Sequence, residues 1–330
     1  MEPIKGPHDC ITDVDGVQVG HVTLHERVDD TDTICTGVSA ILPHAGNLFT
    51  DKVPAACHII NGFGKTCGLV QIEELGLIES PIMLTNTFSV GPVLQGTLTY
   101  MLSEDEAIGD RTSSLNIVVG ECNDSYLNSM RMQAVKPEHA IQAIHASSSA
   151  PVEEGAIGAG KGMVCFGYKG GIGTASRTIE HDCSSYTVGT LVLSNFGKRT
   201  EALFADWSSR DEESETPDGS IMMIIATDAP LTSRQLKRMA KRSAAGLGRL
   251  GSYYANGSGD IAIAFSTANR IHQDSQNPTE NITVMRDDHP IMNHLFQAVT
   301  ECIESSVMNS LRKAETTHGR KNRTVEKAPL

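Results

Sequence analysis

The sequence predicts a layered sandwich of helices and strands, α+β or α/β in class, folded as one domain. Three observations predict it. Thirty glycines among 330 residues lie between short β-branched runs rather than in a linker, the pattern of many short strands joined by tight turns. Two segments carry apolar residues at helical spacing, and each needs a sheet on which to bury that face. No repeat with a period of about 20 to 50 residues recurs, as a solenoid or propeller would require.

Taken in order, strands are expected at 17–24, 37–42, 56–60, 82–87, 116–121, 162–166, 186–194, 221–227 and 259–266, where β-branched and apolar residues alternate or run between glycines. A helix is expected behind the Ala229-Pro230 break and a Thr232/Ser233 cap, with Leu236, Met239, Ala240, Ala244 and Leu247 on one face. Its basic residues Arg234, Lys237, Arg238, Lys241 and Arg242 lie opposite that stripe and read as a solvated face. A second helix runs from Pro290 to about Ala314, with Leu295, Phe296, Val299, Cys302, Ile303, Val307 and Leu311 facing inward. Segment 201–220, acidic and serine-rich, is expected as an exposed insertion. The polar, basic tail 316–330 is expected to be disordered.

Composition excludes several functions. With 39% hydrophobic and 20% charged residues, no apolar run approaches the roughly 20 residues that span a bilayer, so no membrane partner is expected. A net charge of -13 is the wrong sign for broad contact with phosphates, so neither is a nucleic acid. Eight scattered cysteines form no C-x-x-C pair; they read as reduced core thiols and, with no apolar leader at the start, point to the cytoplasm. The pairs His21/His25 and His289/His294 lack a third ligand at short spacing, and no metal or other cofactor is expected.

Two glycine-bearing segments invite chemistry. In GAIGAGKG (155–162), Gly155, Gly160 and Lys161 fall at phosphate-loop spacing, but Gly162 stands where a Ser or Thr must hold magnesium. Tight turns and close packing explain these glycines better. In LGRLGSYYANGSGDIAIAF (247–265), Gly251-Ser252 follows a helix and precedes an apolar strand. Alone, a Gly-Ser pair is an ordinary turn signal.

The run from Gly246 to Asn269, with GRLGS, NGSGD and IAIAFSTAN, resembles the DmpA-type serine aminopeptidases, which include the L-aminopeptidase/D-esterases and β-peptidyl aminopeptidases. PIMLTNTFSVG before and including Gly91, VVGECNDSYLN (118–128), GAGKGMVCFGYKGGIGTASR (158–177), VGTLVLSNFG (188–197) and TDAPLTSRQL (227–236) are similar to family segments in family order. Together they cover most of residues 10–314.

The resemblance implies an α+β fold, a four-layer α/β/β/α sandwich of the DmpA/ornithine-acetyltransferase-like type. It also implies an autoprocessed N-terminal-nucleophile hydrolase. Cleavage between Gly251 and Ser252 would leave chains 1–251 and 252–330, with Ser252 as a new N-terminus. Its hydroxyl is the implied nucleophile and its freed α-amine the base; such an amine has a reference pKa of about 8, suited to neutral pH.

Asn195 matches the family's oxyanion donor, although a turn asparagine capping its own backbone also fits that position. Glu121 matches the acid that pairs with the substrate's free amine, although a strand-end surface acid would look the same. Asn123 stands where some relatives carry an aromatic beside that site, which leaves the pocket's shape open. Asp110 is a looser match for the amine site. The loop MRDDHPIMN offers no Ser-x-Glu to support the nucleophile, so Asp288 is the candidate there, and Ser266 and Thr267 are candidates for nearby hydroxyls.

The implied substrate is a small peptide, amide or ester with a free N-terminus, and the implied assembly is a homo-oligomer of αβ units, a tetramer by family habit. Two other readings share the fold: an acyl transferase that makes an amide bond, and an unprocessed binding module.

Overall fold

The computed structural model describes residues 2–182, 184–204, 219–273 and 277–330. Among the described residues, nine strands of five residues or more build two sheets: β1 (Gln18–Arg27), β2 (Thr33–Leu42), β3 (Asp51–Gly62), β4 (Ile82–Asn86), β5 (Val118–Cys122), β6 (Gly171–His181), β7 (Ser184–Asn195), β8 (Ser220–Thr227) and β9 (Gly259–Ser266). Six helices cover them: α1 (Leu69–Leu75), α2 (Val90–Glu104), α3 (Pro137–His145), α4 (Ser233–Ala240), α5 (Ser243–Leu250) and α6 (Ile291–Lys313).

The larger sheet runs in the order β6-β7-β8-β9-β3, with two-residue strands at its edges, and the smaller in the order β1-β2-β4-β5. Pairing is antiparallel except at β8–β9 and β4–β5. Each parallel pair is joined through helices, as a parallel connection requires.

Strand alternation sets the layers. From β8, Met222, Ile224 and Ala226 meet Ile82, Leu84 and Val118 of the smaller sheet, forming the core between the sheets. Ile221, Met223 and Ile225 face the other way, onto Leu236, Leu247, Leu295 and Val299 of α4, α5 and α6. Met83 and Val119 of the smaller sheet pack outward on Val93, Ala140 and Ile144 of α2 and α3. The result is the expected four-layer α/β/β/α sandwich.

Several elements depart from the expectations. The segment expected as one helix from Thr232 is two, broken at Lys241-Arg242. Strand β6 was not anticipated because its start, GGIGT, looks like a loop. Its Gly173 is there for contact: a Cβ at that position would lie 1.9 Å from the Ser306 carbonyl oxygen of α6. The expected strand 162–166 shrinks to Val164–Cys165.

The tail is not disordered. Val325 and Ala328 are buried, Lys169 N donates to Glu326 O at 2.8 Å, and the Arg323 guanidinium stacks 4.4 Å from the centre of the Tyr126 ring. Its apolar residues are few, but Val325 packs with Cys35, Leu127 and Val164. The expected insertion 201–220 falls mostly on 205–218, outside the described residues, as does Cys183. Among the described residues no helix is long and apolar enough to cross a membrane.

Candidate active site

The Gly251–Ser252 bond lies where α5 ends. Gly251 N donates to Gly248 O at 3.1 Å and Ser252 N to Leu247 O at 3.2 Å, the paired bonds of a Schellman cap. The cap needs a left-handed residue, and Gly251 has φ 107°. A side chain there would also collide with the backbone, because its Cβ would sit 1.9 Å from Glu201 O.

Beyond Ser252 the chain turns sharply. Tyr254 adopts φ 60°, its N–H donates to Ser252 Oγ at 3.4 Å, and its hydroxyl returns a hydrogen bond to Ala244 O of α5. Ser252 opens on a small cleft that it shares with Phe196, Gly197, Glu201, Gly219 and Ser258. Asn61, near the end of β3, holds the far side of this turn by donating to the carbonyls of Ala255, Asn256 and Ser258.

Asn195 ends β7, immediately before Phe196 and Gly197 of the cleft. Its Oδ1 accepts from Val164 N at 2.9 Å and its Nδ2 donates to Asn123 O at 3.0 Å. An amide nitrogen has two protons, so one remains for a further acceptor. The backbone of Asn123 therefore orients Asn195, while its own side chain is exposed and accepts from Ser125 N.

Glu121, two residues before Asn123, is the penultimate residue of β5 and is 3% exposed. One carboxylate oxygen accepts from Lys65 N at 2.7 Å and the other from the Thr87 hydroxyl. Phe63, two residues before Lys65, donates its N–H to Ser258 O. A single short loop after β3 thus touches both the Ser252 turn and Glu121. Thr87 and the Lys65 amide were missed: Thr87 lies in the segment PIMLTNTFSVG, but nothing in that segment marks its hydroxyl as a partner of Glu121, and Lys65 acts through its backbone, which no side-chain pattern reveals.

Lys169 supports the oxyanion candidate from below. It is fully buried, and Nζ donates to Gly160 O, Met163 O and Gly170 O at 2.9, 2.6 and 2.7 Å. Burial pushes its pKa down to about 7, while three carbonyl acceptors favour the ammonium. These bonds fix the loop whose Val164 amide holds Asn195.

Other expectations fail on geometry. Asp288 is 71% exposed and pairs with Arg286; its loop is anchored by Met285 N to Pro230 O, just past the C-terminal end of β8. Ser266 donates to Ala229 O at that same end. Because β8 and β9 are parallel and Ser258 directly precedes β9, Ser266, Thr267 and Asp288 lie a strand length from the cleft, about 23 Å at 3.3 Å per residue. Asp110 is exposed in a turn beyond the end of α2, whereas Thr87 precedes that helix. Spacing in sequence carried none of this.

The phosphate-loop reading of 155–162 fails as well. Gly158 N donates to Thr23 Oγ1, Ala159 N to Ser39 Oγ and Gly160 N to Ile157 O, so its amides are spent inside the protein. The histidine pairs do not converge either: the half-buried His21 meets Ser39 Oγ at 2.8 Å, His25 meets His318 O, and the His289 ring lies against His181.

Residues 9–325 match the family described as peptidase family S58. The chain is 39% identical over 348 residues to the beta-peptidyl aminopeptidase BapA of Sphingosinicella microcystinivorans, covering 98% of this chain and 86% of that one. Among solved structures, the PH0078 protein of Pyrococcus horikoshii OT3 aligns with a TM-score of 0.93 at 48% identity, covering 100% and 93% of the two chains. The L-aminopeptidase D-Ala-esterase/amidase of Ochrobactrum anthropi, described as a prototype serine aminopeptidase and a variant of the Ntn hydrolase fold, aligns with a TM-score of 0.92 at 34% identity, covering 99% and 93%.

Proposed function

Because the chain belongs to peptidase family S58 and is a serine aminopeptidase of the N-terminal-nucleophile class, we propose that it matures by cutting its own Gly251–Ser252 bond. It then removes a small N-terminal residue, of L, D or β configuration, from peptides, amides or esters. The observation that carries this reading is the convergence at one loop. Phe63 binds the turn that follows Ser252, and Lys65 binds Glu121.

In the uncut chain the Ser252 hydroxyl attacks the Gly251 carbonyl, the C–N bond breaks, and the resulting ester is opened by water. The new α-amine then takes the hydroxyl proton as Ser252 attacks a substrate carbonyl, and returns it to the leaving amine. Asn195, whose Nδ2 keeps one proton beyond its bond to Asn123 O, is the oxyanion donor of this reading, a group whose loss costs about 2.7 to 4 kcal/mol in the barrier. Glu121 receives the substrate's ammonium. An acylated amine would leave that buried carboxylate with its two hydrogen bonds but no counter-charge, so the site takes chain ends.

Hydrolysis of an alanine or β-alanine p-nitroanilide, compared with its N-acetyl counterpart, tests this. The free amine is cleaved and the acetylated compound is not, and Glu121→Gln lowers kcat/KM by about 100-fold, as loss of one buried charge partner implies. Equal cleavage of both compounds by the parent would sink the assignment of Glu121.

The reading extends to a homo-oligomer of αβ units, with a tetramer as the expected size. An exposed apolar band on and beside α1, where Val70 is 86%, Leu75 60% and Ile59 52% exposed, supports self-association. A monomer by light scattering would contradict it. Unpaired thiols at the seven described cysteines support a reducing compartment, the cytoplasm; secretion in a cell-fractionation experiment would contradict that.

A further inference from the structure

Self-cleavage as proposed leaves one group unassigned. In the uncut chain the Ser252 nitrogen is a peptide amide that donates to Leu247 O, so it cannot accept the proton its own hydroxyl must lose. The base of the mature enzyme does not yet exist when the first bond is cut.

A carboxylate with no other task lies behind the cleft. Ser258 lines the cleft together with Ser252, and its hydroxyl donates to Asp260 Oδ1 at 2.7 Å. Asp260 is fully buried at the start of β9, and its Oδ2 has no hydrogen-bond partner among the described residues. Among the described residues it joins no ion pair. A buried carboxylate held by one hydroxyl is costly, and such groups cluster where a protein needs a proton acceptor. Burial raises its proton affinity, pushing its pKa up to about 6. The acid on the other side of the cleft, Glu201, accepts from Lys198 N in its own turn.

We propose that Ser258 and Asp260 form the proton acceptor of the self-cleavage step, a relay distinct from the α-amine used in turnover. This rests on the self-cleavage reading above. As Ser252 Oγ bonds to the Gly251 carbonyl carbon, its proton passes to Ser258 Oγ, and the proton of Ser258 passes to Asp260. Collapse of the tetrahedral adduct breaks the Gly251 C–Ser252 N bond. The proton then returns through Ser258 to the departing nitrogen, giving an ester and a free amine with Asp260 ionised again. Water hydrolyses the ester, leaving the Gly251 carboxylate and the Ser252 hydroxyl.

The test follows the appearance of the two fragments with time in the full chain, for the parent, Ser258→Ala, Ser258→Thr, Asp260→Asn and Glu201→Gln, with a thermal melt of each. Removal of a general base typically costs about 100-fold or more. Ser258→Ala and Asp260→Asn should slow cleavage by that factor, while Ser258→Thr, which keeps a hydroxyl, stays within about tenfold of the parent. Glu201→Gln should cleave at the parent's rate. The relay is overturned if Asp260→Asn or Ser258→Ala matches the parent, if Ser258→Thr is as slow as Ser258→Ala at equal melting temperature, or if only Glu201→Gln stops cleavage. Should Asp260→Asn fail to fold, the two Ser258 variants still decide. A parent that does not cut itself at all would instead overturn the self-cleavage reading.

Discussion

Asp260 gives the site a pH dependence whose sign follows from its role. A proton acceptor must be ionised, and burial raises its pKa from 3.8 to about 6. Self-cleavage should therefore be constant above that value and fall about tenfold per pH unit below it, well before an exposed aspartate would protonate. The groups that sense Asp260, Tyr254 and Cys122, are both pushed upward by burial, so they stay neutral through this window. Fragment formation measured from pH 4.5 to 8 checks it, and a flat profile down to pH 4.5 would exclude Asp260. At this scale a residue draws attention in the sequence where it sits in a motif, as Ser252, Asn195 and Glu121 do, and the roles proposed for them rest on the tests above. The sequence was silent on the Thr87 hydroxyl and the Lys65 amide, which reach Glu121 only because two loops meet. It misled on Asp288 and Asp110, where acids near the right motif turn out to be exposed and remote.

Among the elements, the loop between residues 155 and 171 shows how a glycine-rich segment is made rigid. Its amides are spent on neighbouring strands, and Lys169 ties three of its carbonyls to one buried charge. Lys169→Met removes the buried amine and takes one donor from each of three carbonyls, of which Gly160 O and Met163 O keep the bonds from Met163 N and Gly170 N, so it should destabilise the fold by about 1 to 3 kcal/mol. It should also lower kcat more than it raises KM, because the loop orients Asn195 rather than the substrate. Denaturant unfolding and steady-state kinetics measure the two effects; unchanged stability would mean the carbonyls find other donors. Lys169 was present in the sequence as one basic residue among many, and burial alone distinguishes it. Strand β6 and helices α1, α2 and α3 were equally hard to read. Glycines that allow close helix packing look like turns, and the apolar residues of α2 are interrupted by Gly96 and four polar positions between Gln95 and Ser103.

At the scale of the whole molecule, the layers were legible because the unbroken apolar runs of β8 and β9 and the long face of α6 can be satisfied only by a sandwich buried on both sides of its larger sheet. The tail was not legible, since a few apolar residues in a polar stretch acquire meaning only against the seat that receives them. Deleting 316–330 exposes Cys35, Leu127 and Val164, which pack with Val325, and removes the Glu326 carbonyl that accepts from Lys169 N. The loss should be about 2 to 4 kcal/mol, seen as a lower melting temperature, and an unchanged melt would show the seat to be self-sufficient.

The central claim, that this chain makes its own nucleophile, is tested most directly by the intact mass of the purified protein beside its Ser252→Ala variant. The parent should give two fragments of about 27 and 8 kDa, by residue share of 35.4 kDa, and the variant one species at full mass. A parent that remains whole under native conditions would contradict the account.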